Sequence, residues 1–232
     1  MKIQTFILCC MAAFIVNCQS NQKETIAETP PIEVKDTIPV HVPKFDYDTT
    51  KWLDLADLDP TIVMDLRYAT ANNFVEEKMY ECGRCFMRPK AARKLVETHK
   101  ALQEQGFALK MYDCYRPRPV QQKLWDKVPN PNYVARPWKG SEHNKGVAVD
   151  LTIVDKDGKE LDMGTPYDFF GKEAHQTYTK FDNPEVVKNR QLLRRTLRKY
   201  GFKHIRTEWW HYSYKGKVVS RAISDMLWNC EN

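Results

Sequence analysis

Two stretches of this chain hold residue types that can bind a metal ion and do acid–base work beside it: Ser141-Glu142-His143-Asn144-Lys145-Gly146-Val147-Ala148-Val149-Asp150 and Glu208-Trp209-Trp210-His211. Two imidazoles, His143 and His211, and the Asp150 carboxylate make three protein ligands. That count leaves the fourth position of a tetrahedral zinc ion open to water, the arrangement of catalytic rather than structural zinc. Glu208, on the N-terminal side of His211, is the candidate general base for that water. His41, His99, His175 and His204 lack such neighbours, and a lone histidine is ordinarily a structural or surface residue.

Such ligands need elements to position them. Over 146–154, Val147, Val149 and Leu151 fall on one face and Ala148, Asp150 and Thr152 on the other. Asp150 therefore projects from the middle of an apolar strand, where an unpartnered carboxylate is costly and a metal or cation is expected. Residues three apart on a flat strand face opposite ways, so a bulge or turn is expected between Glu208 and His211. Arg116 follows a second alternating segment, 107–113, and Pro117 restricts the backbone before it. A guanidinium fixed there can meet developing oxyanion charge or pair with Asp113. Pro89 and Gly106 bracket a helix over 89–105, Asn183 as N-cap and Gly201 as stop bracket one over 184–200, and 117–127 reads as a shorter helix. Strands are expected at 107–113, 146–154, 202–206 and 209–214. Helices segregated beside a mainly antiparallel sheet make the fold class α+β, with Trp209 and Trp210 as pocket wall and core.

The pattern Ser-x-His-x-x-Gly-x-Ala-x-Asp followed by Glu-x-Trp-His resembles the zinc D-alanyl-D-alanine dipeptidases. That group includes the vancomycin-resistance dipeptidases and lies within the wider zinc DD-peptidases, which share a fold with the hedgehog signalling domain. Residues 66–74 (Leu-Arg-Tyr-Ala-Thr-Ala-Asn-Asn-Phe), 113–117 (Asp-Cys-Tyr-Arg-Pro) and 163–170 (Met-Gly-Thr-Pro-Tyr-Asp-Phe-Phe) resemble family segments in the same order, so the likeness covers roughly 50 to 214. It implies that His143, Asp150 and His211 hold one zinc ion per chain, that Glu208 is the catalytic acid/base and that Arg116 stabilises the tetrahedral oxyanion. Asp168 would hold the free amino group of a dipeptide, with Ser141 and Asp113 as further substrate-binding candidates. The implied activity is hydrolysis of D-Ala-D-Ala to two D-alanines. The alternatives are a peptidoglycan D,D-carboxypeptidase or endopeptidase acting on stem peptides, and a non-catalytic zinc-binding interaction domain, against which an intact Glu208 and Arg116 argue. Cys114 departs from the family pattern, which more often has a small residue there.

Of the 232 residues, 42% are hydrophobic and 12% aromatic, enough for one globular domain over 46–232. The formal charge of +6 is spread along the chain without a nucleic-acid motif, so nucleic acid is not an expected partner; no obligate protein partner is implied either. Met1-Lys2 precedes an apolar run, 6–16, of signal-peptide length and too short for a membrane span. Ile15-Val16-Asn17-Cys18 resembles a bacterial lipoprotein cleavage box with Cys18 as the lipidated residue, although Asn17 is larger than the usual residue before the cysteine. The expectation is a signal peptide over 1–17, a polar tether over 18–45 and a lipid-anchored enzyme facing the periplasm. An ordinary signal peptide, leaving a soluble periplasmic protein, and an uncleaved anchor are the competing readings. Cys82, Cys85, Cys114 and Cys230 then remain, and they permit three fully paired connectivities. The pair Cys82-Gly83-Arg84-Cys85 lacks the second pair of a zinc ribbon and a thioredoxin-like context, which leaves structural disulfides or buried thiols.

Overall fold

The structure, a computed structural model, describes residues 46–230; the expected signal peptide, the tether and Cys18 lie outside them. In chain order the elements are β1 (Leu53–Asp54), α1 (Leu55–Leu58), β2 (Val63–Met64), β3 (Phe86–Met87), α2 (Pro89–Gln103), β4 (Phe107–Asp113), α3 (Arg118–Lys127), β5 (Ala148–Asp155), α4 (Glu185–Lys199), β6 (Phe202–His204) and β7 (His211–Tyr214). The helix signals act as expected at α2, while α4 has Pro184 rather than Asn183 at its N-cap position. Pro89 takes the first turn of α2, where its missing N–H costs nothing. The Asn183 side chain accepts from the Glu185 backbone N–H at 3.0 Å at the start of α4, satisfying one of the orphan donors of the first turn.

Five strands make one sheet in the order β2-β4-β5-β7-β6. Its pairings are antiparallel except at one edge, where Val63 and Met64 run parallel to Lys110 and Met111. The sheet is therefore mixed, and a two-residue edge strand offers no alternation from which its direction could be read. β1 and β3 form a separate two-stranded ribbon. Helix α2 packs on β4 and on α4. Leu95, Leu102, Leu193 and Leu197 from the helices meet Leu109, Met111, Leu151 and Ile153 from the sheet in one core, each buried leucine worth about 1.5–3 kcal/mol. With Val149 and Leu151 committed to that core, Asp150 between them points out of the opposite face.

The four described cysteines form two disulfides, Cys82–Cys230 and Cys85–Cys114. The two cysteines of the Cys82-Gly83-Arg84-Cys85 stretch are thus bonded to different partners rather than to one another or to a metal. Among the described residues no helix is long and apolar enough to cross a membrane.

Candidate active site

Asp150 and His211 stand directly opposite each other on β5 and β7, and cross-strand partners project from the same face. His211 Nδ1 lies 2.9 Å from Asp150 Oδ1. His143 comes from a 3-10 turn, His143–Lys145, just before β5. Gly146 closes that turn at φ 69°, and a Cβ there would stand 2.3 Å from the Trp52 ring, so only glycine fits. The turn is also tied from the front, where Ser141 N donates to Asn144 Oδ1 at 2.7 Å and Asn144 N donates to Ser141 Oγ at 3.3 Å.

These constraints bring His143 Nε2 to 3.1 Å from His211 Nδ1 and 3.3 Å from Asp150 Oδ1. Zinc bonds of about 2.0–2.2 Å in a tetrahedron keep ligand atoms roughly 3.3 Å apart, so the three donor atoms have a spacing that fits one zinc ion. His143 Nδ1 donates to the Cys114 carbonyl at 2.7 Å, which leaves the Nε2 lone pair facing the other two donors, the usual outer support of a metal-ligating imidazole. Burial opposes charge on His143, but the Asp150 carboxylate outweighs it and raises the imidazole pKa. Burial likewise pushes Asp150 up, and the two imidazoles outweigh it and hold the carboxyl well below its ordinary range.

Around this cluster lies a recess of about 320 Å³, lined among others by Arg116, Ser141, His143, Asp150, Asp168, Glu208 and His211. That volume is at the small end for ligand sites. Glu208 precedes β7 in irregular chain, so the strand alternation does not bind it. The expected turn is present, and Glu208 Oε2 reaches 4.0 Å from His211 Nδ1. Burial raises the Glu208 pKa above the ordinary carboxylate value. Asp168 sits in the left-handed region at φ 58° and accepts from the Tyr68 hydroxyl at 3.0 Å. Burial first, and then the charge of Asp150, push its carboxyl well above the ordinary range.

Arg116 is 8% exposed. Its Nε and Nη2 donate to Asp113 Oδ2 at 3.1 and 2.6 Å, and Nη1 donates to Gln121 Oε1 at 3.0 Å. It pairs with Asp113 and faces the recess at once, so the two readings of the sequence are compatible. Asp113 itself is not among the recess-lining residues. Its oxygens are taken by Arg116 and by the Tyr80 hydroxyl at 2.9 Å, which places it behind the arginine rather than against a ligand. Ser141 does line the recess, with its hydroxyl already accepting from Asn144. Sequence reasoning missed Tyr68 and Gln121. Gln121 is fully buried and donates onward to the Ala135 carbonyl at 2.8 Å. A polar residue on the apolar side of a short helix was the available signal. Trp210 lines the recess, while Trp209 is buried and donates to Thr165 Oγ1 at 2.8 Å.

The family model for peptidase M15, described as D-Ala-D-Ala dipeptidase, matches residues 48–228. A D-alanyl-D-alanine dipeptidase of Escherichia coli K12 is 37% identical over 180 residues, covering 78% of this chain and 93% of the relative. One from Enterococcus faecalis is 27% identical over 186 residues, covering 71% and 90%. A solved vancomycin-resistance D,D-pentapeptidase in complex with Zn(II) aligns at 19% identity and a TM-score of 0.38, over 57% of this chain and 74% of that one.

Proposed function

The chain belongs to the D-Ala-D-Ala dipeptidase family of peptidases, and from that premise we propose that it is a zinc-dependent dipeptidase that hydrolyses D-Ala-D-Ala to two D-alanines. The observation that carries this reading is the convergence of three donor atoms within 3.3 Å of one another, in one recess with Glu208, Arg116 and Asp168. His143, Asp150 and His211 would hold a single ion. Zinc supplies, when bound, Lewis acidity toward an amide carbonyl and toward water. Glu208, lining the same recess, accepts the proton of the attacking water and returns it to the leaving amine. Arg116, held on one side by Asp113 and on another by Gln121, offers a fixed positive charge to the oxyanion without having to reorganise. Asp168 receives the substrate ammonium and Ser141 borders the same space. The small recess and an unpaired carboxylate in it favour a free dipeptide over a stem peptide.

The test is amino-acid release from D-Ala-D-Ala, L-Ala-L-Ala, N-acetyl-D-Ala-D-Ala and a muramyl pentapeptide, with and without a chelator. Chelator-sensitive release from D-Ala-D-Ala alone is expected. Better hydrolysis of the pentapeptide would replace this reading with a wall carboxypeptidase.

The proposal extends to the cell envelope. The apolar run 6–16 and the Cys18 box support a lipid-anchored protein facing the periplasm, on a tether of 18–45. Wild-type protein expressed with its own leader should incorporate labelled fatty acid, and Cys18→Ser should abolish the label. An unlabelled soluble species would return the reading to ordinary signal cleavage.

A further inference from the structure

We propose that the Cys85–Cys114 disulfide is a positioning device for the metal ligands, so that zinc affinity depends on whether this bond is oxidised; the inference rests on the zinc reading above. The ladder between β4 and β5 ends at the Asp113–Asp150 pair, and Cys114 is the first residue beyond it. Yet the Cys114 carbonyl accepts the bond from His143 Nδ1 that decides which imidazole nitrogen faces the ion. Two further bonds stitch the same segments together: Arg116 N donates to His143 O at 3.2 Å, and Asn144 Nδ2 donates to Arg116 O at 2.7 Å. The position of Cys114 therefore sets His143 and Arg116 jointly.

Beyond the sheet, that position is held through sulfur. Cys85 is itself anchored, since its carbonyl accepts from Leu55 N at 3.0 Å and the adjacent Phe86 carbonyl accepts from Tyr115 N at 3.0 Å. Both cysteines are 1% exposed. The Cys82–Cys230 bond differs. It fastens the C-terminal segment, where Trp228 packs on Tyr80 and Phe86, and among the described residues neither of its cysteines bonds a residue of the recess. An external dithiol that reduces Cys85–Cys114 delivers two electrons and two protons, is itself oxidised to a disulfide, and leaves two thiols. The Cys114 carbonyl then loses its covalent tether.

The two bonds supply an internal control. Disulfide stabilisation grows with the loop closed, and Cys82–Cys230 spans 148 residues against 29 for Cys85–Cys114. A merely structural role would make the longer loop the more damaging to lose. Zinc dissociation constants, from competition with a chromophoric chelator, and zinc-free urea midpoints are measured on the full chain, on Cys85→Ala/Cys114→Ala and on Cys82→Ala/Cys230→Ala. Outer support of a metal ligand is typically worth about 10- to 100-fold in affinity, so the first variant should weaken zinc by that factor. The second should keep wild-type affinity while losing more of its urea midpoint. Wild-type affinity in Cys85→Ala/Cys114→Ala overturns the proposal, as does an affinity loss that follows the urea midpoint in both variants. Failure of Cys85→Ala/Cys114→Ala to fold in excess zinc overturns it too, because the bond would then serve the whole fold. Failure of the wild-type chain to bind zinc sinks the dipeptidase reading instead.

Discussion

Replacing Asp168 with asparagine should erase the preference for a free amino terminus that the proposed function assigns to this enzyme. Among the described residues Asp168 accepts a hydrogen bond from Tyr68 at 3.0 Å and forms no salt bridge, because the nearby Arg116 is committed to Asp113. Burial and the Asp150 charge hold its carboxyl well above the ordinary range, the condition of a carboxylate that lacks a cation. Under the proposed function a substrate ammonium would be that cation. Asparagine keeps the shape and an oxygen for Tyr68 but removes the charge. A hydrogen bond between charged groups contributes about 1.5–3 kcal/mol, and at 1.36 kcal/mol per tenfold this is roughly 10- to 150-fold in kcat/KM. Steady-state hydrolysis of D-Ala-D-Ala and of its N-acetyl derivative by both proteins measures it. The loss should fall on the free dipeptide and leave the acetylated one nearly unchanged. Equal losses on the two substrates would refute the argument, since Asp168 would then support the site rather than read the amine.

Glu208→Ala should keep near-stoichiometric zinc by metal analysis while turnover drops at least about a hundredfold, the usual worth of a general acid/base, whereas His143→Ala should lose the metal itself. Gly146→Ala forces a non-glycine residue to φ 69° with its Cβ 2.3 Å from the Trp52 ring; the left-handed backbone alone costs about 1–2 kcal/mol, so the urea midpoint should fall by at least the equivalent. His99 is fully buried, accepting from Leu109 N at 3.1 Å, and burial, only partly opposed by Asp59, lowers its pKa. Below the ordinary value of about 6.5 the unfolded chain then binds the proton that the folded chain refuses, so the stability His99 contributes is complete above that pH and is lost as pH falls through it. Zinc-free urea midpoints should drop more steeply on acidification in wild type than in His99→Gln, and parallel profiles would remove His99 from the account.

What could be read in the sequence was local. Proline, asparagine and glycine set the ends of α2 and α4, because capping is decided within one turn. The alternation around Asp150 put it on the face opposite Leu151, because the side-chain period of a strand is fixed by covalent geometry. The parallel edge β2 was invisible, since two residues have no period. The cysteine pairing was equally hidden: the sequence leaves three connectivities open, and the structure bonds Cys82 and Cys85 each to a distant partner. The resemblance makes Asp113 a substrate-binding candidate. Its oxygens are filled by Arg116 and by Tyr80, which is 33 positions away in sequence, and no local pattern encodes that.

The charges of the recess explain why these acidic residues coexist. Asp113 and Asp150 are direct neighbours across β4 and β5, an arrangement of like charges that is destabilising when uncompensated. Each therefore needs its own cation, and the two find different ones. Asp113 takes Arg116 in a buried pair at 2.6 Å, a contact whose rupture typically costs about 3–5 kcal/mol. Asp150 faces two imidazoles, which remain neutral if they ligate a metal, so its compensation has to come from the ion. Among the described residues, Asp168 and Glu208 are left with no basic side chain in a salt bridge other than the imidazole of His211, 4.0 Å from Glu208. A divalent ion would offset Asp150 and part of the Glu208 charge, and a substrate ammonium would offset Asp168. On this reading, metal and dipeptide complete a charge balance that the protein leaves open, and the same chain deprived of zinc should bind the dipeptide weakly even with Asp168 intact, because the ion that would polarise the substrate carbonyl is gone.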